Sequence, residues 1–402
     1  MKFNRSIAVR FTLLISLVAS LPILSGKLQA DTGNCGGVTI TLPFTDVMGS
    51  GFFCQIAAAY FSGLTNGTSA TTYSPTQNVT REQMAAFITR TMDQSIKRGS
   101  RRAVTKKWWT PLDANSLTLT DVGGQPERVE FDGTDLWVAN NSTASVMRVR
   151  ASDGKLLDTW TGASQATAIV AAMGRIFVTG ATNPGNLFMI DPTQPAGIVT
   201  TVSNSLGNAP VGIAFDGSRI WTANNGSVSI VTLNPTTVNT VSTGFNTPIG
   251  MLYDGSHIWV TDNLANTLLK LNSDGSIAQT IAVGTFPYYA TFDGTNIWVP
   301  NFNSSSLTVV RVKDATGNPL TTAFELATLT GNGLNNPLTA AFDGERILVT
   351  NFNGASVSLW KATDLTPLGF VSTGTGTEPF GACSDGLNFW LSLRSTNKLA
   401  RF

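Results

Sequence analysis

The stretch PIGMLYDGSHIWVTDN, Pro248 to Asn263, decides how this chain folds, because the chain writes it again and again. It reads PERVEFDGTDLWVANN from Pro126, PVGIAFDGSRIWTANN from Pro210, PYYATFDGTNIWVPNF from Pro287, PLTAAFDGERILVTNF from Pro337 and PFGACSDGLNFWLSLR from Pro379. A seventh, eroded copy, TAIVAAMGRIFVTGA, begins at Thr167. The copies start 38 to 50 residues apart.

Each copy has a physical reading. Proline fixes φ and lacks an N–H, so it suits the loop entering the innermost strand of a sheet. An aromatic precedes Asp-Gly in five copies: Phe131, Phe215, Tyr253, Phe292 and Phe342. Asp-Gly marks a tight hairpin, since glycine takes positive φ and the Asp side chain bonds nearby backbone N–H groups. A second strand resumes with Trp137, Trp221, Trp259, Trp298 or Trp390 at one position, replaced by Phe177 and Leu348 elsewhere. Third and fourth strands follow, as in SVSIVTL (Ser227–Leu233) and VNTVSTG (Val238–Gly244). A period near forty filled with short strands specifies a mainly β chain, a seven-bladed β-propeller. The last copy stops at Phe402, one strand short, and SLTLTDV (Ser116–Val122) precedes the first copy. These two segments are expected to pair and close the ring, which protects its edges.

Only 13% of the 402 residues are charged, and Ser, Thr, Asn and Gly abound, as in exported β-rich proteins. Lys2, Arg5 and Arg10 precede an apolar run, Phe11 to Leu24, and Leu28-Gln29-Ala30 resembles a cleavage site, so residues 1–30 read as a signal peptide. Its loss removes four cations and no acid, taking the formal charge from +1 to −3. A mildly acidic mature chain argues against nucleic acid, and no later segment reads as membrane-spanning. Cys35 and Cys54 could form a disulfide; Cys383, in an inner strand, reads as a small buried thiol. Residues 97–107 carry six basic side chains and read as a basic linker over 96–115, either solvated or in contact with an anionic surface.

Residues 40–95 read as a small N-terminal α-helical module. Phe52–Phe61 is a short apolar helix, and Thr80-Arg81-Glu82-Gln83 fits a capping box opening a second. FTDV (Phe44–Val47), GLTNGTSATTYSP (Gly63–Pro75) and NVTREQMAAFITR (Asn78–Arg90) resemble an S-layer homology repeat in order and spacing. The resemblance implies attachment to anionic cell-envelope polysaccharide through Thr80, Arg81 and Glu82, with Asp46 in support. A guanidinium beside a helix N-terminus suits a carboxylate. The equally open alternative is that Arg81 and Glu82 are ordinary first-turn residues. The family combines three such repeats; one is found here.

The propeller copies resemble YVTN cell-surface propellers and, in their P-x-G-x-x-x-D-G-x-x-I-W pattern, NHL and streptogramin B lyase propellers. The lyase resemblance implies a catalytic histidine and magnesium. The single histidine, His257, lies in a turn between first and second strands, away from the usual ligand face. The recurring aspartates read as turn residues. The chain therefore reads as a non-catalytic binding protein without cofactor or metal, with a lyase-like enzyme as the alternative. Its ligand, an unknown protein or carbohydrate, is expected at the rim where fourth-to-first and second-to-third loops gather. The rim residues singled out are Glu127, Arg128, Tyr288 and Tyr289, then Asn140, Asn224, Asp262, Asn301, Asn351 and Arg394. The plainer reading of the asparagines is that they cap strand ends.

Overall fold

A computed structural model describes residues 30–62, 64–87 and 118–402, which fall into two compact units. Residues 1–29 of the expected signal peptide (1–30) and the basic linker (96–115) lie outside the described residues.

In the smaller unit, Thr32–Cys35 and Val38–Thr41 form an antiparallel hairpin. Its two-residue turn is Gly36-Gly37, with φ of 63° and 88°, a backbone that glycine adopts without penalty. A helix, Phe53–Phe61, follows and buries Phe53, Ile56 and Ala57 against Leu42, Phe44 and Val47. A disulfide joins Cys35 to Cys54, tying hairpin to helix. Phe44 packs edge-on to Tyr60 at 5.2 Å and against Tyr73 at 5.4 Å. A second helix begins at Arg81 and is described over residues 81–87. Its capping box closes reciprocally: the Gln83 N–H donates to Thr80 Oγ1 (3.1 Å), and the Thr80 N–H to Gln83 Oε1 (2.9 Å).

The larger unit is a seven-bladed β-propeller, seven four-stranded antiparallel sheets. Blade 1 is typical: inner strand Pro126–Phe131, then Asp135–Asn140, Ser145–Arg150 and outer strand Leu156–Thr161. The second strands are buried along all or nearly all of their length, as in DLWVAN and NIWVPN, because neighbouring blades cover both faces; only Arg175 and Arg346, at the start of theirs, are half-buried. Each tryptophan of the repeat packs into the next blade: Trp137 lies with Ile169, Ile176 and Val178 of blade 2, and Trp390 with Val129 and Leu136 of blade 1. The seventh blade takes its outer strand from the other end of the chain. Thr118–Asp121 pairs with Lys398–Arg401, Thr118 opposite Arg401 and Asp121 opposite Lys398. Asp121 also forms an ion pair with Lys398.

The Asp-Gly turns carry a second device. One oxygen of Asp254 accepts the Ser256 and His257 N–H groups, and the other accepts the Trp259 indole N–H, all at 2.7 Å. The same indole bond recurs from Trp137 to Asp132, Trp221 to Asp216, Trp298 to Asp293 and Trp390 to Asp385, at 2.7–2.8 Å. A buried indole N–H needs an acceptor, and the repeat supplies one five residues earlier. The eroded second blade lacks both partners, with Met173 and Phe177 in their places. In blade 6, where Leu348 replaces tryptophan, Arg346 Nε donates to Asp343 at 2.9 Å.

Blades are also stitched at their inner strands. In blades 4 and 7 one hydroxyl does two jobs. Thr261 accepts the Gly250 N–H and donates to Tyr288 O of blade 5 at 2.8 Å. Ser392 accepts the Gly381 N–H and donates to Glu127 O of blade 1 at 2.7 Å. Glycine is required there because the next strand comes so close: a Cβ on Gly381 would lie 2.3 Å from Glu127 O.

The candidate site at the propeller mouth

Blades 1 and 5 depart from that stitching, and their departure builds the site. The hydroxyl position holds Ala139 in blade 1 and Pro300 in blade 5, while the inner glycine position holds Arg128 and Tyr289. Blade 3, with Ala223, keeps its glycine, Gly212. Pro300 has no N–H to offer its own inner strand. Tyr289 accordingly pairs with blade 6: its N–H donates to Leu338 O and its carbonyl accepts the Ala340 N–H, both at 3.0 Å. The ordered inner strand of blade 5 shrinks to Thr291–Phe292.

The two large side chains meet. The Arg128 guanidinium lies 3.9 Å from the centre of the Tyr289 ring, and its Nη1 donates to Thr339 Oγ1 of blade 6 at 2.9 Å. Blades 1 and 5 are not neighbours in the ring, so this contact crosses the central channel. Burial holds the Tyr289 hydroxyl well above its usual range and lowers the Arg128 pKa.

Around this pair, five aromatic rings close on themselves. Tyr288 lies 5.5 Å from Phe302, Phe302 6.3 Å from Phe352, Phe352 6.1 Å from Phe380, Phe380 6.2 Å from Tyr289, and Tyr289 5.8 Å from Tyr288. All come from the fourth-to-first and second-to-third ends of blades 5, 6 and 7. Tyr289 is buried; the other four are half-buried. Arg394, just past the second strand of blade 7, lies 5.5 Å from the Phe380 ring and 3.5 Å from Glu127. Arg394 Nε is buried and has no partner among the described residues.

Two carboxyls in this region titrate unusually. Burial raises Glu127 to about 7 against the opposing pull of Arg394 and Arg128. Burial likewise raises Glu130 to about 7, opposed by Arg128 and by a backbone hydrogen bond from Ala171. A carboxyl whose pKa is higher folded than unfolded binds more protons in the native state, so stability falls as pH rises through that interval. The propeller's Tm is therefore expected to decline from pH 5 to pH 7.5, and Glu130→Gln should flatten the decline. A Tm constant or rising over that range in the wild type would contradict this.

The sequence placed Glu127, Arg128, Tyr288, Tyr289 and Arg394 at one rim, and the structure brings all five together. The remaining rim positions behave differently. Asn140, Asn224, Asp262, Asn301 and Asn351 are all fully buried. Asn301 Nδ2 donates to Ser306 and Thr308, Asn351 Nδ2 to Ser356 and Ser358, Asn224 Nδ2 to Ser227 and Ser229, and Asn140 Nδ2 to Ser145 at a longer 3.4 Å. Asp262 accepts the Asn246 and Thr247 N–H groups. These five are buried and hold turns and strand ends. Four exposed amides, Gln165, Asn183, Asn208 and Asn225, line a cleft of about 550 Å³ between blades 2 and 3. Sequence reading missed these, along with Phe302, Phe352 and Phe380. One signal was present: Asn-Phe ends the second strand only in blades 5 and 6.

His257 sits in the first-to-second turn of blade 4, at the opposite end of the blades from the mouth. It lines a cavity of about 440 Å³ with Asp216, Arg219, Trp221 and Tyr253. Burial and nearby Lys270 lower its pKa. Cys383 is a free thiol on the inner strand of blade 7, its pKa pushed up by burial.

In the smaller unit, Arg81 and Glu82 are exposed on the first turn of the second helix, and Thr80 caps it. Asp46 accepts the N–H groups of Tyr73 (2.8 Å) and Ser74 (2.7 Å), binding FTDV to the loop before the helix. Its place in the repeat is thus explained by loop geometry.

With both units in view, the chain combines a small cell-surface-type module with a propeller. Residues 43–85 match the family model of the S-layer homology domain. The propeller is similar in fold to virginiamycin B lyase from Staphylococcus aureus (15% identity, 71% of this chain and 98% of that one, TM-score 0.58). It is similar also to a streptogramin B lyase (16% identity, 74% and 99%, TM-score 0.56) and to hydrazine synthase of Kuenenia stuttgartiensis (16%, 70% and 96%, TM-score 0.54). No curated protein matches the chain in sequence. No helix among the described residues is long and apolar enough to cross a membrane.

Proposed function

We propose that this is an exported protein held at the cell envelope by its S-layer homology domain, with the propeller mouth serving as a non-catalytic binding face. S-layer homology domains bind envelope polysaccharide, and here Arg81 beside the capped helix start is the group suited to an anionic sugar. The observation that carries the propeller's part is the closed set of five aromatic rings, with Arg394 and Glu127 at its edge. Half-buried aromatics gathered on a concave face mark recognition sites more often than isolated exposed apolar groups do. Depsipeptide ring opening, the alternative, draws on fold likeness alone, and one propeller scaffold serves many chemistries.

For attachment, the full chain is expected to sediment with cell-wall preparations and Arg81→Ala to reduce the bound fraction severalfold. Equal sedimentation of the two proteins would remove Arg81 from the anchor. For the mouth, a photo-crosslinking residue at Phe352 should give envelope products that one at Phe370, on the outer strand of blade 6, does not. Identical products from both positions would argue against the mouth as the binding face.

A further inference from the structure

The mouth sets two guanidinium groups against one apolar floor: Arg128, already held by Tyr289 and Thr339, and Arg394, which is held only loosely. Arg394 lies above Phe380 and reaches Glu127 only loosely, at 3.5 Å, while its Nε–H points to no acceptor among the described residues. A buried guanidinium N–H left unpaired is costly, and a carboxylate is the partner whose geometry it matches best. The floor beside it is built of three phenylalanines and two tyrosines, broader than a single ring.

Resting on the binding reading above, we propose that the mouth receives the C-terminal residues of a peptide chain, the terminal carboxylate on Arg394 and large apolar side chains on the aromatic floor. In a chain end, the carboxylate and the last side chain branch from one carbon. Both can then reach adjacent sites, here a guanidinium 5.5 Å from a ring centre. The penultimate side chain extends over Phe352 and Phe302. Sugar stacking alone would leave the Arg394 N–H unanswered, and a neutral apolar group would too.

Glu127 sets the pH behaviour of this site. The charged and titratable groups facing it are Arg128 on its own strand, Arg394 from blade 7 and Tyr289 from blade 5. Arg128 is held in the channel by Tyr289 and Thr339, so Arg394 is the cation that an incoming anion can share. Ionised Glu127 competes with a carboxylate ligand for Arg394; protonated Glu127 does not. Its carboxyl titrates at about 7, so affinity should rise as pH falls from 8 to 6.

The test uses the full-length protein and isothermal titration with a peptide ending in Leu-Phe, as free acid and as C-terminal amide, at pH 6 and pH 8. The free acid is expected to bind about tenfold or more tightly than the amide, one charge-assisted contact being worth roughly that factor. It should bind severalfold more tightly at pH 6 than at pH 8. Arg394→Gln should erase the acid–amide difference, and Glu127→Gln should remove the pH dependence while keeping tight binding. Equal affinity for acid and amide overturns the proposal, as does glucuronate binding at the mouth in place of the peptide. Absence of peptide binding by folded wild type overturns it too; if Phe352 still crosslinks specifically, the mouth remains a binding face with a different ligand.

Discussion

A protein lacking residues 118–122 is expected to lose the cooperative unfolding of its whole propeller, with a Tm more than about 10 °C below that of the intact chain. Deletion strips blade 7 of its outer strand and uncovers the edge of Lys398–Arg401. It also removes Val122, which is fully buried among Val129, Leu136 and Trp390. Opening one blade frees the blades on either side, because each buries its second strand against the next. The check is scanning calorimetry of the two proteins, followed by addition of a peptide carrying residues 116–124. The peptide should restore part of the lost Tm by supplying the strand in trans. An unchanged transition in the deletion would show that packing between blades 7 and 1 closes the ring without the strand.

The second large effect is expected from Asp254→Ala. Asp254 is 2% exposed and accepts three hydrogen bonds, two from backbone and one from the Trp259 indole. Truncation leaves those donors without an acceptor in a place water barely reaches, at about 1–3 kcal/mol each. A total loss of about 3 kcal/mol or more corresponds to roughly 5–10 °C in Tm for a unit of this size. Trp259→Phe removes the indole donor together with the need for its acceptor and should cost less. The double variant should be less destabilised than the sum of the singles, since the indole bond is lost only once. Simple additivity would show that the two side chains do not act as a pair.

Much of this architecture was legible from residues whose physics is local. Proline, Asp-Gly and tryptophan recur because every blade must enter, turn and pack in the same way, so the blade count and the closing strand could be read directly. The indole–aspartate bond was also present in the spacing, Asp132 to Trp137 and Asp254 to Trp259, and it vanishes from both positions of the eroded copy at once. The Gly36-Gly37 hairpin was equally local but went unread, because its strands are only four residues long: TGNC shows no apolar alternation, and VTIT alternates for just two pairs.

The site was less legible, for a reason the asparagines make plain. Asn301 and Asn351 end a strand beside a loop, where a polar side chain could turn either outward or back to the serine and threonine hydroxyls of the next strand. Sequence does not encode that choice; the seryl and threonyl partners lie five to seven residues on and become neighbours only when the turn closes. Arg128 and Tyr289 stand 161 residues apart in the chain, so their contact depends on the ring being complete. Pro300 was the nearest thing to a local sign, a proline inside a buried second strand, and it marks the blade whose inner strand turns to its neighbour.

The closing strand has a mechanical consequence. Everything N-terminal to the propeller, the S-layer homology domain included, is tethered to it through Thr118, the first residue of a four-residue pairing with Lys398–Arg401. Tension between an anchored N-terminal unit and a load gripped at the propeller must pass through that pairing before it reaches any other blade. The clasp is therefore also the first of the propeller's pairings to take that load, and what resists it there is a four-residue ladder and the Asp121–Lys398 ion pair.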